Sequence, residues 1–351
     1  MGTSEGLEVL RRVVERRRPH LTVPRRIDRA GVDGPTERAA RRTWRRSSRG
    51  LYVPIEVSTD DVEQRIVEAA AGVVGHPGAV TGWAALRWMG GQWFDGYEGE
   101  RALPVPVVIA TFDRRPQAHV EYSAERLGVD ETVLVDGVRV TVPVRSATFE
   151  MRRARSIRAA VRVADMAAYD DLVDVDELRA FTATLNGWTG VRTLRAAIPH
   201  VVENCWSPQE SGLRWTWTED AGCPRPTANA AVFDLRGRHV ATVDLLDEVA
   251  GVVGEYDGEV HLAGGRRRAD LQREDRLRGL GLEYVAFVAG MSREERVARL
   301  RAAYARAAER PAAGRSWTTT PPPGWRSTAT VASRRALEPG DRDRLLRYRA
   351  A

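Results

Sequence analysis

Asp244, Glu255 and Asp257 are the residues of this 351-residue chain whose types and spacing could do chemistry. The stretch from His239 to Val288 opens with alternating and then continuous apolar residues, a pattern typical of sheet. Its acidic residues lie inside the apolar runs rather than on a polar face. His239 to Leu246 and Val249 to Tyr256 read as two strands joined by a short acidic turn at Asp247-Glu248, an antiparallel hairpin. Side chains two apart on a strand share a face, so Glu255 and Asp257 point the same way and the hairpin brings Asp244 nearly opposite them. Carboxylates roughly 4 Å apart at a partly buried surface repel by about 4 kcal/mol, so such a patch must protonate, pair or bind a cation. A hard divalent ion, magnesium or manganese, suits oxygen ligands, and it can activate a water for phosphodiester hydrolysis. The plainer reading leaves Asp244 and Asp257 as hairpin ends facing solvent and pairs Glu255 with one of the nearby arginines.

The elements around this patch form a compact series. Asp257-Gly258 closes the second strand, His261 follows, and Arg266-Arg267-Arg268 forms a basic loop leading to a helix over about Ala269 to Leu280. Gly281 stops that helix, and Leu282 to Val288 supplies another strand. Upstream, Thr227 to Phe233 is the opening strand, and before it stands Ser207-Pro208-Gln209-Glu210. Ser-x-x-Glu with proline at the first helical position is a capping box, which by itself accounts for Glu210.

VDLLDEVAGVVGEYDGEVH, followed by Asp270, Arg273 and Leu277 and then GLGLEYVAF, resembles the very-short-patch-repair-type endonuclease domain of the PD-(D/E)XK nucleases. Asp244, Glu255, Asp257 and His261 stand at the matching positions of that pattern. The resemblance implies a restriction-endonuclease-like domain in which Asp244 and Glu255 hold magnesium or manganese and Asp257 completes the shell. It also implies that Glu210 adds a ligand from the preceding helix, in competition with its capping role, and that His261 positions a water or phosphate. Arg273 and Arg276 would steady charge on the scissile phosphate. Leu245 and Tyr256 depart from the family pattern, and Asp257 stands where the wider superfamily often has lysine. The chain holds no lysine anywhere, and an arginine does not act as a base.

The N-terminal stretch carries a different chemistry. The chain has a net charge of +6, and residues 1 to 49 hold 14 arginines against six acidic residues, the kind of concentration a phosphate-binding module needs. A solvated arginine-rich face is the alternative. Leu7 to Arg17 reads as an amphipathic helix, Ile27 to Ala30 as helix before a turn, Pro35 to Arg46 as a second helix, and RRSSRGLYVPI as a basic hairpin. Arg45, Arg46, Arg49, Gly50 and Tyr52 resemble the wing of the N-terminal winged helix of actinobacterial AbiEi-type antitoxins. In that reading Arg38, Arg41 and Arg42 lie along the helix that faces DNA, with Arg45, Arg46 and Arg49 on the wing.

The expected fold is mixed α/β. A winged helix-turn-helix would cover 1–58, a connecting α/β domain 59–172, a restriction-endonuclease-like mixed sheet flanked by helices 173–305, and a Pro/Arg-rich tail 306–351, extended or mobile with a short arginine-rich helix at its end. The expected function is DNA binding coupled to a metal-dependent endonuclease-like domain. The alternative is an antitoxin-type repressor whose nuclease fold is inactive and serves as a binding or dimerisation platform, with a toxin or a second copy as partner. Cys205 and Cys223 form no disulfide framework, and no apolar run reaches membrane-spanning length, so the expected location is the cytoplasm.

Overall fold

A computed structural model of the chain describes residues 3–109, 115–257, 264–310 and 315–350, without the side chains of 264–270 and 350. The chain divides into two packed units, Met1–Ala154 with Asp176–Arg195, and Arg155–Val175 with Ala196–Ala351. Each is mixed α/β with its own five-stranded sheet.

In the first unit, helix Thr3–Arg17 buries Leu7, Leu10 and Val14, the stripe its spacing predicts. The helix expected over Ile27 to Ala30 does not form. The Asp28 carboxylate instead accepts the backbone N–H groups of Ala30, Val32 and Asp33, offering this segment a local alternative to helix. The helix expected over Pro35 to Arg46 is only Glu37–Arg42, capped by Thr36. It stops there because Trp44–Ser48 pairs antiparallel with Leu51–Pro54, a ladder that the aromatic Trp44 and the turn at Gly50 (φ +74°) favour. The unit's mixed sheet runs in the order Val120–Ser123, Val105–Val108, Ala79–Val80, Val138–Thr141 and Thr132–Val135, with helices Val62–Gly72 and Gly82–Trp88 packed on it.

In the second unit the elements are α1 (Ile157–Tyr169), α2 (Pro208–Trp215), β1 (Thr227–Asp234), β2 (His239–Asp247), β3 (Val252–Asp257), α3 (Gly264–Gly279), β4 (Glu283–Val288), α4 (Arg293–Ala308), β5 (Trp317–Thr318) and α5 (Val331–Arg335). The strand order is β4-β3-β2-β1-β5, antiparallel throughout except for β3 and β4, which run parallel with α3 as their crossover. The basic run Arg266 to Arg268 is helical rather than a loop, consistent with arginine's good helix propensity. Alternation along β2 sends Leu245 to one face, with Trp217, Phe287 and Leu300, and Leu246 to the other, with Leu277, Leu282 and Trp317. Gly254 is required where β3 passes Trp217, since a Cβ there would lie 2.6 Å from the indole ring.

The tail is the largest departure from expectation. It adds β5 to the edge of β1 and buries Trp317, and an arginine-rich helix forms near its end as expected, in α5, but with Arg334 fully inside. Asp171, held at φ +59°, receives the guanidinium groups of Arg334, Arg342 and Arg349, and Arg334 also donates to the carbonyls of Ala168 and Glu203. Arg334→Ala leaves Asp171 with Arg342 and Arg349 but strips the buried Ala168 and Glu203 carbonyls of their donor, so it should destabilise this unit by about 1 to 3 kcal/mol. Urea unfolding of the full chain would measure the loss; an unchanged midpoint would mean that the tail contributes nothing to the unit's stability.

Candidate acidic site

The β2–β3 ladder pairs Asp247 with Val252, Leu246 with Val253 and Leu245 with Gly254, and there it ends. Beyond that point the Tyr256 N–H donates to Asp244 Oδ2 at 2.7 Å, so a carboxylate stands where the backbone ladder would otherwise continue. The acidic turn between these strands has a structural task of its own. Asp247 accepts the N–H groups of Val249 and Ala250 through one oxygen and the Tyr304 hydroxyl through the other.

On the far side of Asp244 lies Asn229, between the pairs Ala228↔Leu245 and Ala230↔Val243. Its φ of +46° is left-handed, a conformation asparagine tolerates better than other non-glycine residues. Its amide donates to Glu210 Oε2 at 2.6 Å and to the Asn204 carbonyl at 2.8 Å, while the Asn204 side chain returns two hydrogen bonds to the backbone of Ala228 and Asn229. Glu210 therefore does not complete the capping box. Ser207 Oγ accepts the Glu210 N–H as a cap should, but the Glu210 carboxylate accepts the N–H of Trp206 and the amide of Asn229.

Glu255 is buried on β3, and Arg273 of α3 donates to both of its oxygens at 2.8 and 2.9 Å while also reaching the Thr242 carbonyl. Burial and then the neighbouring Asp244 push Glu255 up to about 8, against the opposing pull of Arg273. Burial, with Asp244 second, pushes Glu210 up to about 7. Asp244 is itself raised by burial, against the Tyr256 N–H. Arg273 thus pairs with Glu255 and acts on Asp244 as a nearby charge, while Glu210 is held by the Trp206 N–H and the Asn229 amide.

The fold brings together Glu210, Asp244, Glu255 and Arg273 from four separate elements. Asp257 ends β3 exposed, and its charge acts on both Asp244 and Glu255. Arg276 is exposed on α3 and folded back onto the Gln272 carbonyl, and His261 lies outside the described residues. The three-acid metal shell expected of Asp244, Glu255 and Asp257 is not assembled: among the described residues no three His, Cys, Asp or Glu side chains form a group that could hold a metal ion. The physical reason is Arg273, which already compensates Glu255 at both oxygens. Asn229 and Asn204 escaped the sequence reading. The available signal was an asparagine, a poor strand former, in the middle of the strand TANAAVFD.

In the first unit Arg38, Arg41 and Arg42 are exposed along their helix, and Arg46 and Arg49 are exposed on the hairpin. Arg45 is different, because both of its terminal nitrogens pair with Glu68, at 2.9 and 2.6 Å. Among the described residues, no helix is long and apolar enough to cross a membrane. Comparisons with protein-family models, curated proteins and solved structures find no match to this chain.

The acidic site sets a pH dependence. Glutamates raised from 4.5 to about 7 and 8 hold more protons in the folded state than in the unfolded state across that interval. Their contribution to stability is therefore present at low pH and lost as pH rises through the folded values. In chelator, thermal unfolding should show the protein losing stability between about pH 5 and 8, and Glu210→Gln should flatten that slope. Identical slopes for the two proteins would remove Glu210 from the account.

Proposed function

We propose that the protein binds duplex DNA through its first unit and that the second unit carries a magnesium- or manganese-dependent endonuclease-like centre acting on DNA phosphodiesters. In this reading residues 1–58 are a winged helix-turn-helix and the sheet β4-β3-β2-β1-β5 is a restriction-endonuclease-like core. The observation that carries it is the convergence of Asp244 and Glu210, beside Glu255, at the point where β2 and β3 part. A surplus of buried negative charge at the end of a ladder is costly without a cation, and structural stability alone supplies no reason to keep it.

Asp244 and Glu210 would hold the ion, which when bound supplies Lewis acidity at the phosphate. Asn229 fixes the Glu210 rotamer, and the Tyr256 N–H fixes that of Asp244. Arg273, anchored on Glu255, presents positive charge beside Asp244, where it can stabilise charge developing on a phosphoryl oxygen. In the first unit Arg38, Arg41, Arg42, Arg46 and Arg49 contact the DNA backbone, while Arg45 buttresses the hairpin through Glu68.

Wild-type protein incubated with plasmid and magnesium or manganese should nick it, and Asp244→Ala should lower the rate by at least about 100-fold, the scale of losing a charge-stabilising group. Equal nicking by both proteins, or none by either, removes the enzyme. A second reading, an antitoxin-type repressor with a silent nuclease fold and a toxin or second copy as partner, is favoured by one observation, the occupation of both Glu255 oxygens by Arg273. Duplex binding is common to both. Replacing Arg38, Arg41 and Arg42 together with alanine should reduce the slope of log affinity against log salt by about 3, measured by fluorescence anisotropy. Binding that does not vary with salt would defeat both readings.

A further inference from the structure

We propose that a cavity of about 900 Å³ in the first unit is a binding site for a phosphoryl group of a small phosphorylated molecule. The site shares Arg46 and Arg49 with the proposed duplex contact but does not depend on it. Its floor comes from a defect in the hairpin. Arg46 pairs with Tyr52 and Ser48 with Leu51, so Ser47 is an extra residue and the strand bulges there. A bulge places two successive side chains on one side of the ribbon, and Ser47 and Ser48 both line the cavity. They are only 1% and 6% exposed, and neither hydroxyl has a hydrogen-bond partner among the described residues. Buried hydroxyls are nearly always satisfied, so two adjacent unmet ones on residues that line a cavity point to an acceptor supplied by a ligand. Gly72 keeps the floor open, since a side chain there would begin 3.4 Å from Ser48 Oγ.

The rim supplies the charge. Arg26, Arg46, Arg49 and Arg115 are exposed around the opening, and none pairs with a carboxylate among the described residues. The C-terminal end of helix Val62–Gly72 also borders the cavity, and its carbonyls oppose an anion, but they amount to a partial charge against four full ones. A phosphoryl group offers three acceptor oxygens, enough to meet both hydroxyls and a guanidinium fork at once, which a carboxylate with two cannot do as fully. The serines are buried while the four arginines are exposed, so a ligand that meets both must be small, whereas a duplex would meet the arginines alone.

Titration calorimetry of the full chain with pyrophosphate tests the site. One pyrophosphate should bind per chain, and Ser47→Ala with Ser48→Ala should weaken it at least about tenfold, the effect of losing hydrogen bonds to a charged group. The same double variant should melt no lower than wild type without ligand, because it removes unmet hydroxyls, a result that a purely structural role for the serines would not give. Arg115→Gln, on the exposed rim, should also weaken pyrophosphate at least several-fold, and it keeps the test valid if the serine variant fails to fold. No binding to wild type, unchanged affinity in the variants, or loss of duplex binding in parallel with no pyrophosphate effect would overturn the proposal. Wild-type duplex binding, measured alongside, reports on the proposed function separately.

Discussion

Two strands that run side by side through three residue pairs separate where an aspartate side chain, not a carbonyl, receives the next N–H. That substitution of Asp244 for backbone at Tyr256 places a carboxylate in the interior of a sheet, and much of the second unit can be understood as a response to it. Asn229 accepts a left-handed backbone directly across from it and holds Glu210 in place, Glu255 follows on the next strand, and Arg273 comes from the crossover helix. Local strain of this kind persists where the surroundings over-determine it, and it clusters where a protein does something beyond folding.

Several acids in both units are met by arginine guanidinium groups. Asp171 is held by three arginines, Glu283 by Arg306 and Arg310, Glu125 by Arg145 and Arg152, and Asp165 by Arg214. With no lysine in the sequence, every strong cation is a planar fork that can meet two oxygens or add a carbonyl, as Arg334 does. Against that pattern the acidic site stands out: among the described residues Arg273 pairs with Glu255 alone, while Glu210 and Asp244 are held by amide and backbone N–H groups.

The same comparison sorts the arginines of the first unit. Arg45 lies next to Arg46 in sequence, yet it is joined to Glu68 while Arg46 and Arg49 remain exposed beside two unsatisfied serines. A count of positive charge cannot make that distinction, because helix and strand geometry decide which cation meets a carboxylate inside the unit and which is left for a ligand.

What the residues settled on their own were the features governed by short-range rules. The alternation from His239 to Leu246 and from Val249 to Tyr256 predicted the hairpin, whose second strand begins only at Val252, Ser207 fixed the start of its helix, and spacing placed Asp244 near Glu255. Where local forces compete, the pattern was silent. It could not tell that Asp28 would gather backbone N–H groups and prevent a helix, or that hairpin pairing would shorten the helix ending at Arg42. Only the tertiary structure decided that Glu210 turns from its cap toward Asn229, that Arg273 closes on Glu255, and that the tail returns to bury Arg334 against Asp171. The partners in those contacts are 18 to 163 residues apart. An ion pair between such distant residues leaves no periodicity in the chain, because its strength depends on burial and geometry that exist only once the strands are in place.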